Sequence, residues 1–139
     1  LRDAPFPGGD MLNLLVVGGS QGATILSTVV PQAVAAMRAK VRVVQQCRPE
    51  DIDAVRAAYA AAGIDATLST YIADMPSELA KAHVVISRSG ASTVSELAVA
   101  GRPSILVPLP TAMDDHQSHN VRELADAGER MIERLRRKA

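Results

Sequence analysis

Two loops rich in glycine and serine are the strongest sign of chemistry in this sequence. The first is Gly18–Ala23 (GGSQGA) and the second is Ser87–Glu96 (SRSGASTVSE), and each follows a short apolar run. Glycine lets the backbone approach a ligand closely, and a helix that begins after such a loop presents free N–H groups and a positive dipole end. Neither loop is a Walker A motif or a G-x-G-x-x-G fingerprint. Both fit an anion cradle, and a tight turn without a ligand is the alternative for the first.

Glu96 in the second loop has two interpretations. Thr93-Val-Ser-Glu96 matches a capping box, in which the glutamate side chain accepts a hydrogen bond from a backbone N–H at the helix start. Alternatively, the carboxylate accepts hydrogen bonds from ribose hydroxyls, as acidic residues do in dinucleotide sites. The spacing alone favours the cap and leaves both roles open.

A third polar segment, Pro108–Asn120, follows another apolar run and contains His116 and His119. Residues three apart share a helical face, so the two histidines could in principle bind a metal ion. No other histidine or cysteine lies nearby in the sequence, so we expect no metal and no cofactor. The remaining alternatives are a simple helix cap and polar contacts to a sugar. We expect Cys47 to be a small buried residue and His83 to be structural.

Apolar runs alternate with helical runs along the chain, which predicts a parallel sheet covered on both faces. With right-handed crossovers this is an α/β fold, a single Rossmann-like, doubly wound sheet of about five strands. The predicted strands are Met11–Val17, Val41–Cys47, Ala66–Tyr71, His83–Ser87 and Ser104–Val107. The predicted helices are Ala23–Arg38, Pro49–Ala62 with Gly63 as its stop, Pro76–Ala82, Thr93–Ala100 and Asp115–Ala127.

The last residues differ in composition, so we divide the chain into a domain over 1–128 and a basic C-terminal helix over 129–139. Five basic and two acidic side chains give this tail a net charge of +3. Met131, Ile132 and Leu135 have spacing that suits one helical face, which predicts packing on the sheet. A helix bound to a membrane surface or to a partner is the alternative.

Composition excludes several classes of protein. The 139 residues are 47% apolar and 22% charged, an ordinary globular balance that argues against disorder. Fifteen basic and fifteen acidic residues cancel, and only three residues are aromatic, so we expect no nucleic-acid partner. No apolar run approaches the roughly 18 residues of a membrane span, so we expect no direct membrane insertion. The single cysteine excludes an internal disulfide and favours a cytoplasmic setting.

Four segments together resemble the C-terminal, nucleotide-sugar-binding domain of the MurG family, the UDP-N-acetylglucosamine transferases of peptidoglycan synthesis. They are GGSQGA, YIADM, SRSGASTVSELAVAGRPSILVPLP and DDHQSHN, within a resemblance from about Pro5 to Gly128. The resemblance implies one half of a two-domain GT-B glycosyltransferase that performs inverting sugar transfer. It also implies that an N-terminal acceptor domain is missing here, and that the parent enzyme is peripheral on the inner face of the bacterial plasma membrane.

The resemblance also implies which residues bind the nucleotide sugar. By motif position they are Gly19, Ser20, Gln21, Gly22, Ile72, Ser89, Gly90, Ala91, Glu96, His116, Gln117 and Asn120. The first four would face the diphosphate, and Ser89–Ala91 would line the phosphate side. Ile72 would contact the uracil through its backbone, and Glu96 would bind the ribose. His116 and Gln117 would contact the sugar, and Asn120 would support their loop. The sequence departs from the family at Thr24, where many relatives have arginine, and at Gln45–Arg48, where His-Gln-x-Gly is commoner.

These observations support three hypotheses. The first is a donor-binding half-enzyme that binds UDP or UDP-N-acetylglucosamine weakly and cannot transfer sugar alone, because the acceptor domain is missing. The second is an engineered or truncated α/β scaffold with little ligand binding, which forms a homodimer through exposed apolar surface. The third is a complete small binding protein for another nucleotide or phosphorylated ligand.

Overall fold

The computed structural model describes residues 11–17, 23–37, 40–88, 104–107 and 117–138. From β1 to β4 strands and helices alternate, as the apolar pattern predicts. The elements are β1 (Leu12–Val17), α1 (Ala23–Ala36), β2 (Val41–Gln46), α2 (Ile52–Ala61), β3 (Asp65–Ser69), α3 (Met75–Lys81), β4 (Val84–Arg88), β5 (Ser104–Val107) and α4 (Gln117–Lys138). The helix expected at Thr93–Ala100 lies outside the described residues.

The five strands form one parallel sheet in the order β3-β2-β1-β4-β5. The central strand β1 pairs with β2 on one side, where Leu12 faces Val41, and with β4 on the other, where Leu14 faces Val84. The chain builds outward from β1 to β3 and then returns to the far side of β1 with β4. This order confirms the predicted doubly wound sheet and places the reversal of strand order between β1 and β4.

The sequence of β1, LNLLVV, is apolar on both faces because this strand is covered on both sides. Leu14 and Val16 belong to a large core with helices α1, α2 and α4. Leu15 and Val17 belong to a smaller cluster on the opposite face, which includes Leu79 of α3. Burying one such side chain contributes about 1.5–3 kcal/mol, so this alternation fixes the register of the central strand.

Helix α2 ends as the sequence predicts. Gly63 has φ +71°, the left-handed conformation that glycine adopts without a steric cost. Its N–H donates to the carbonyl of Ala60 at 3.1 Å, and the N–H of Ile64 donates to that of Tyr59 at 2.9 Å. These two bonds are the Schellman pattern, which satisfies carbonyls left free at a helix end.

Helix α4 is longer than the sequence pattern suggests. Instead of ending at Ala127, it runs without a break from Gln117 to Lys138, so residues 129–138 continue it and do not form a helix of their own. Gly128 is buried, and a Cβ there would lie 2.9 Å from side-chain atoms of Met37, just after α1. Ile132 is buried in the core, with Met131 and Leu135 packed beside it, which confirms the predicted apolar face.

Candidate functional site

The carboxyl ends of β1 and β4 lie side by side in the sheet. Val17, the last residue of β1, is paired with Ser87, the penultimate residue of β4. Residues 18–22 follow β1 in the sequence and residues 89–92 follow β4, so each glycine-containing segment comes directly after one of these two strand ends. In open α/β sheets, ligands bind beyond the carboxyl ends of the strands where the strand order reverses. We call this edge, between β1 and β4, the switch edge.

Most of the predicted ligand-binding residues lie outside the described ranges. These are Gly19, Ser20, Gln21, Gly22, Ser89, Gly90, Ala91, Glu96 and His116. Gln117 and Asn120 are placed in the first turn of α4, which follows β5 after nine residues. Ile72 is placed in the segment between β3 and α3.

The Ile72 side chain is half-buried and packs against the cluster that contains Val17, the last residue before the first loop. The preceding turn is held by Ser69, whose hydroxyl lies 2.6 Å from the carbonyl of Tyr71 and 3.2 Å from its N–H. Among the described residues, none forms a hydrogen bond with the backbone of Ile72. The segment is therefore anchored by the side chain of Ile72 and by the hydrogen bonds between Ser69 and the backbone of Tyr71.

A buried hydrogen-bond network, missed at the sequence level, links α2 to the start of α1. The Tyr59 hydroxyl donates to Gln45 Oε1 at 2.6 Å, and Gln45 Nε2 donates to the carbonyl of Leu26 at 3.4 Å. Gln45 is fully buried near the end of β2, and burial raises the pKa of Tyr59. In β2, VRVVQQ, the buried positions alternate from Val41 through Val43 to Gln45, and a glutamine at an inward-facing position was the available signal. The network ties the first turns of α1 to the sheet.

A second polar cluster follows β2 at the carboxyl end of the sheet, on the side of β1 opposite to β4. Arg48 Nε lies 2.8 Å from Asp51 Oδ2, and its NH2 group lies 3.4 Å from Oδ1, a two-pronged ion pair. The Ser27 hydroxyl of α1 is 3.5 Å from the same Asp51 oxygen. A carboxylate from the loop before α2 therefore reaches the second turn of α1. The sequence showed only that Arg48 replaces a glycine common in relatives.

Cys47 is buried, as expected. Its N–H donates to the carbonyl of Ser69 at 2.8 Å, and its side chain is 1% exposed. Burial, with the Asp51 carboxylate as the second cause, raises the pKa of the thiol to about 11. The thiol is therefore protonated at neutral pH and is a poor nucleophile.

His83 is structural, as expected: its Nδ1 accepts a hydrogen bond from the N–H of Asn13 at 2.9 Å. In the described ranges, no three histidine, cysteine, aspartate or glutamate side chains are grouped so that they could hold a metal ion. A search of the same residues finds no helix with the length and hydropathy needed to cross a membrane.

The sheet order, with its reversal between β1 and β4, defines a doubly wound α/β domain. The chain belongs to the glycosyltransferase family 28 C-terminal domain family, whose model matches residues 13–137. This confirms the resemblance predicted from the sequence, and the match extends through most of the basic end of α4.

Two relatives carry the same name, UDP-N-acetylglucosamine--N-acetylmuramyl-(pentapeptide) pyrophosphoryl-undecaprenol N-acetylglucosamine transferase. The protein from Rhodospirillum rubrum is 61% identical over 130 residues, covering 91% of this chain and 33% of the relative. That from Zymomonas mobilis is 54% identical over 144 residues, covering 98% of this chain and 37% of the relative. The chain thus spans about a third of the length of these curated relatives.

The crystal structure of Acinetobacter baumannii MurG has the same fold over the matched region. It superimposes with a TM-score of 0.67 at 38% sequence identity, covering 88% of this chain and 38% of the MurG chain. The chain therefore corresponds to the C-terminal domain of a MurG-like glycosyltransferase.

Proposed function

We propose that this chain binds UDP-N-acetylglucosamine, or UDP, at the switch edge and forms the donor half of a peptidoglycan glycosyltransferase. The observation that carries the proposal is the pairing of Val17 with Ser87, because the two glycine-containing segments follow these neighbouring strand ends in the sequence. A diphosphate between them would meet backbone N–H groups and the positive end of α1, whose first residue is Ala23.

Ile72 supports the uracil part of the proposal. Its side chain is held by the cluster that includes Val17, and its backbone groups form no hydrogen bond with described residues. A pyrimidine edge presents donors and acceptors that such backbone groups can match. Glu96 is proposed to hold the ribose hydroxyls, and His116 and Gln117 the sugar, as the family resemblance implies.

The proposed activity of the whole protein needs a second part. The relatives named as transferases are about three times the length of this chain, so we propose that the acceptor site lies in the part it does not match. Sugar transfer by this chain alone is not expected. The relatives' name includes undecaprenol, a lipid, which supports a position of the complete enzyme at a membrane, and the family resemblance implies the inner face of the plasma membrane.

An NMR titration of the labelled 139-residue protein with UDP-N-acetylglucosamine, with ADP for comparison, tests the proposal. We expect saturable shifts at Gly19, Ser20 and Ile72 that are selective for the uridine ligand. Replacing Glu96 with Gln should weaken binding about tenfold or more, because a hydrogen bond to a charged group contributes about 1.5–3 kcal/mol.

Glu133→Gln is the matched control, since it removes the same charge from an exposed position of α4, 16 residues beyond Gln117. At about 1.5 Å per residue, this position is roughly 24 Å along the helix. The Glu133→Gln variant should bind UDP-N-acetylglucosamine with the same affinity as the unaltered protein. The absence of saturable shifts from folded protein at millimolar ligand, or equal binding of ADP, would refute the proposal.

A further inference from the structure

The loop after β2 brings opposite charges to the edge where β1 ends. β2 is the direct neighbour of β1, with Gln45 paired to Val16, so Arg48 and Asp51 follow the strand at the carboxyl end of the sheet. Their ion pair is partly shielded, with 34% of the Arg48 side chain and 20% of the Asp51 side chain exposed. The N–H of Asp51 also donates to the Arg48 carbonyl at 2.9 Å, which closes a tight turn around the pair.

The Asp51 carboxylate is close to the start of α1. It lies 3.5 Å from the Ser27 hydroxyl, and Ser27 is four residues after Ala23, the first residue of the helix. Four residues rise about 6 Å along a helix, so the carboxylate is roughly 10 Å from the positive end of α1. An unbalanced negative charge at that distance would oppose the binding of a diphosphate there. Arg48 balances it, and Glu50, 3.9 Å from the guanidinium, reduces the balance slightly.

We propose that the Arg48–Asp51 pair sets the net charge beside the diphosphate subsite and so controls how strongly this chain binds a nucleoside diphosphate. This inference rests on the proposed function, because it assumes the diphosphate lies at the start of α1. Arg48 and Asp51 act through the local field and need not touch the ligand. Removing one member of the pair must therefore have the opposite effect to removing the other.

Titration of UDP into variants of the 139-residue protein tests the inference. For charges roughly 10 Å apart near a surface, Asp51→Asn should tighten UDP binding about two- to tenfold and Arg48→Gln should weaken it by a similar factor. Arg48→Lys, which keeps the charge but loses the two-pronged geometry, should stay within about twofold of the unaltered protein. Uridine, which has no phosphate, should bind all of these variants equally.

Salt separates a field effect from a packing effect. The screening length falls from about 20 Å in 0.02 M salt to about 4 Å in 0.5 M, so the differences in UDP affinity should largely disappear at the higher concentration. Circular dichroism and urea unfolding confirm that each variant is folded under the titration conditions.

The Arg42–Asp65 pair is a matched control at the opposite, amino end of the sheet. Arg42 Nε lies 3.3 Å from Asp65 Oδ2, and the two residues are register partners near the starts of β2 and β3. Arg42→Gln and Asp65→Asn change the same charges and should leave UDP affinity unchanged.

Two kinds of failure can be told apart. If the unaltered protein binds UDP but Asp51→Asn and Arg48→Gln change affinity in the same direction, or not at all, the charge-setting role is wrong and the proposed function stands. If Arg48→Lys weakens binding as much as Arg48→Gln, geometry matters rather than charge, and the inference also fails. If the folded, unaltered protein shows no saturable UDP binding, both proposals are overturned.

Discussion

A single hydroxyl, that of Tyr59, donates the hydrogen bond that satisfies the buried side-chain oxygen of Gln45. Removing it by Tyr59→Phe leaves Gln45 Oε1 without its 2.6 Å donor in a fully buried position. An unsatisfied buried acceptor costs about 1–3 kcal/mol, so the free energy of unfolding should fall by that amount in urea denaturation. Tyr71→Phe removes the same atom from a side chain that is 73% exposed and should change stability by less than about 0.5 kcal/mol. Equal effects of the two substitutions would contradict this account of the network.

At the scale of residues, the sequence predicted the burial or structural role of a single residue better than it predicted contacts between distant residues. The burial of Cys47 and the structural role of His83 follow from residue type and position, and both are confirmed. The contact between Asp51 and Ser27 joins residues 24 apart. It depends on how α1 lies against the loop after β2, and no local pattern specifies that placement.

At the scale of elements, α4 depends on a few side chains that face the core. Ile132 is 5% exposed in the main cluster, whereas Arg134 on the same helix is exposed. Ile132→Ala should lower the free energy of unfolding by about 2–5 kcal/mol, because it removes buried methyl groups and leaves a cavity. Arg134→Ala should change it by no more than about 0.5 kcal/mol, and urea unfolding of both variants measures the difference. A loss below about 1 kcal/mol for Ile132→Ala would mean that this end of the helix is not docked.

Two glycines show why helix ends were only partly predictable. Gly63 ends α2 because the chain there needs a positive φ, as the sequence suggested. Gly128 was also interpreted as a change of segment, yet α4 continues through it. Its lack of a side chain makes room for Met37, a contact 91 residues away in sequence. A single sequence does not distinguish a glycine that ends a helix from a glycine that allows close packing within one.

At the scale of the whole molecule, the buried side chains of Cys47 and Tyr59 make the free energy of unfolding decrease at alkaline pH. Burial raises the pKa values of both Cys47 and Tyr59 above those of the unfolded chain, Cys47 from 9.0 to about 11. The unfolded state therefore loses these protons first, and stability present below about pH 9 is lost as the pH rises. Each group contributes a slope of up to about 1.4 kcal/mol per pH unit. Urea unfolding at intervals from pH 8 to about pH 11 should show this decline, and Cys47→Ala should make it shallower. A pH-independent free energy over that range would contradict the burial of both groups.

The parallel, doubly wound sheet of five strands could be predicted because buried strands that alternate with helices allow few arrangements. The proposed ligand position at the carboxyl ends of β1 and β4 follows from the general rule for open α/β sheets and stays a prediction. The contact of the Asp51 carboxylate with Ser27 could not be predicted, because it joins two segments, the loop after β2 and helix α1, that meet only in the folded molecule.

The central position of β1 also affects the protein while the ribosome is still making it. The pairing strand β2 is synthesised soon after β1, because Leu12 pairs with Val41. The second pairing strand, β4, is synthesised much later, because Leu14 pairs with Val84. At about 5–20 residues per second, the stretch between the end of β2 and the start of β4 takes on the order of 2–8 seconds to synthesise. Throughout that interval the most apolar strand has one open edge, so the nascent chain is most exposed to wrong pairing, and most in need of a chaperone, before β4 emerges.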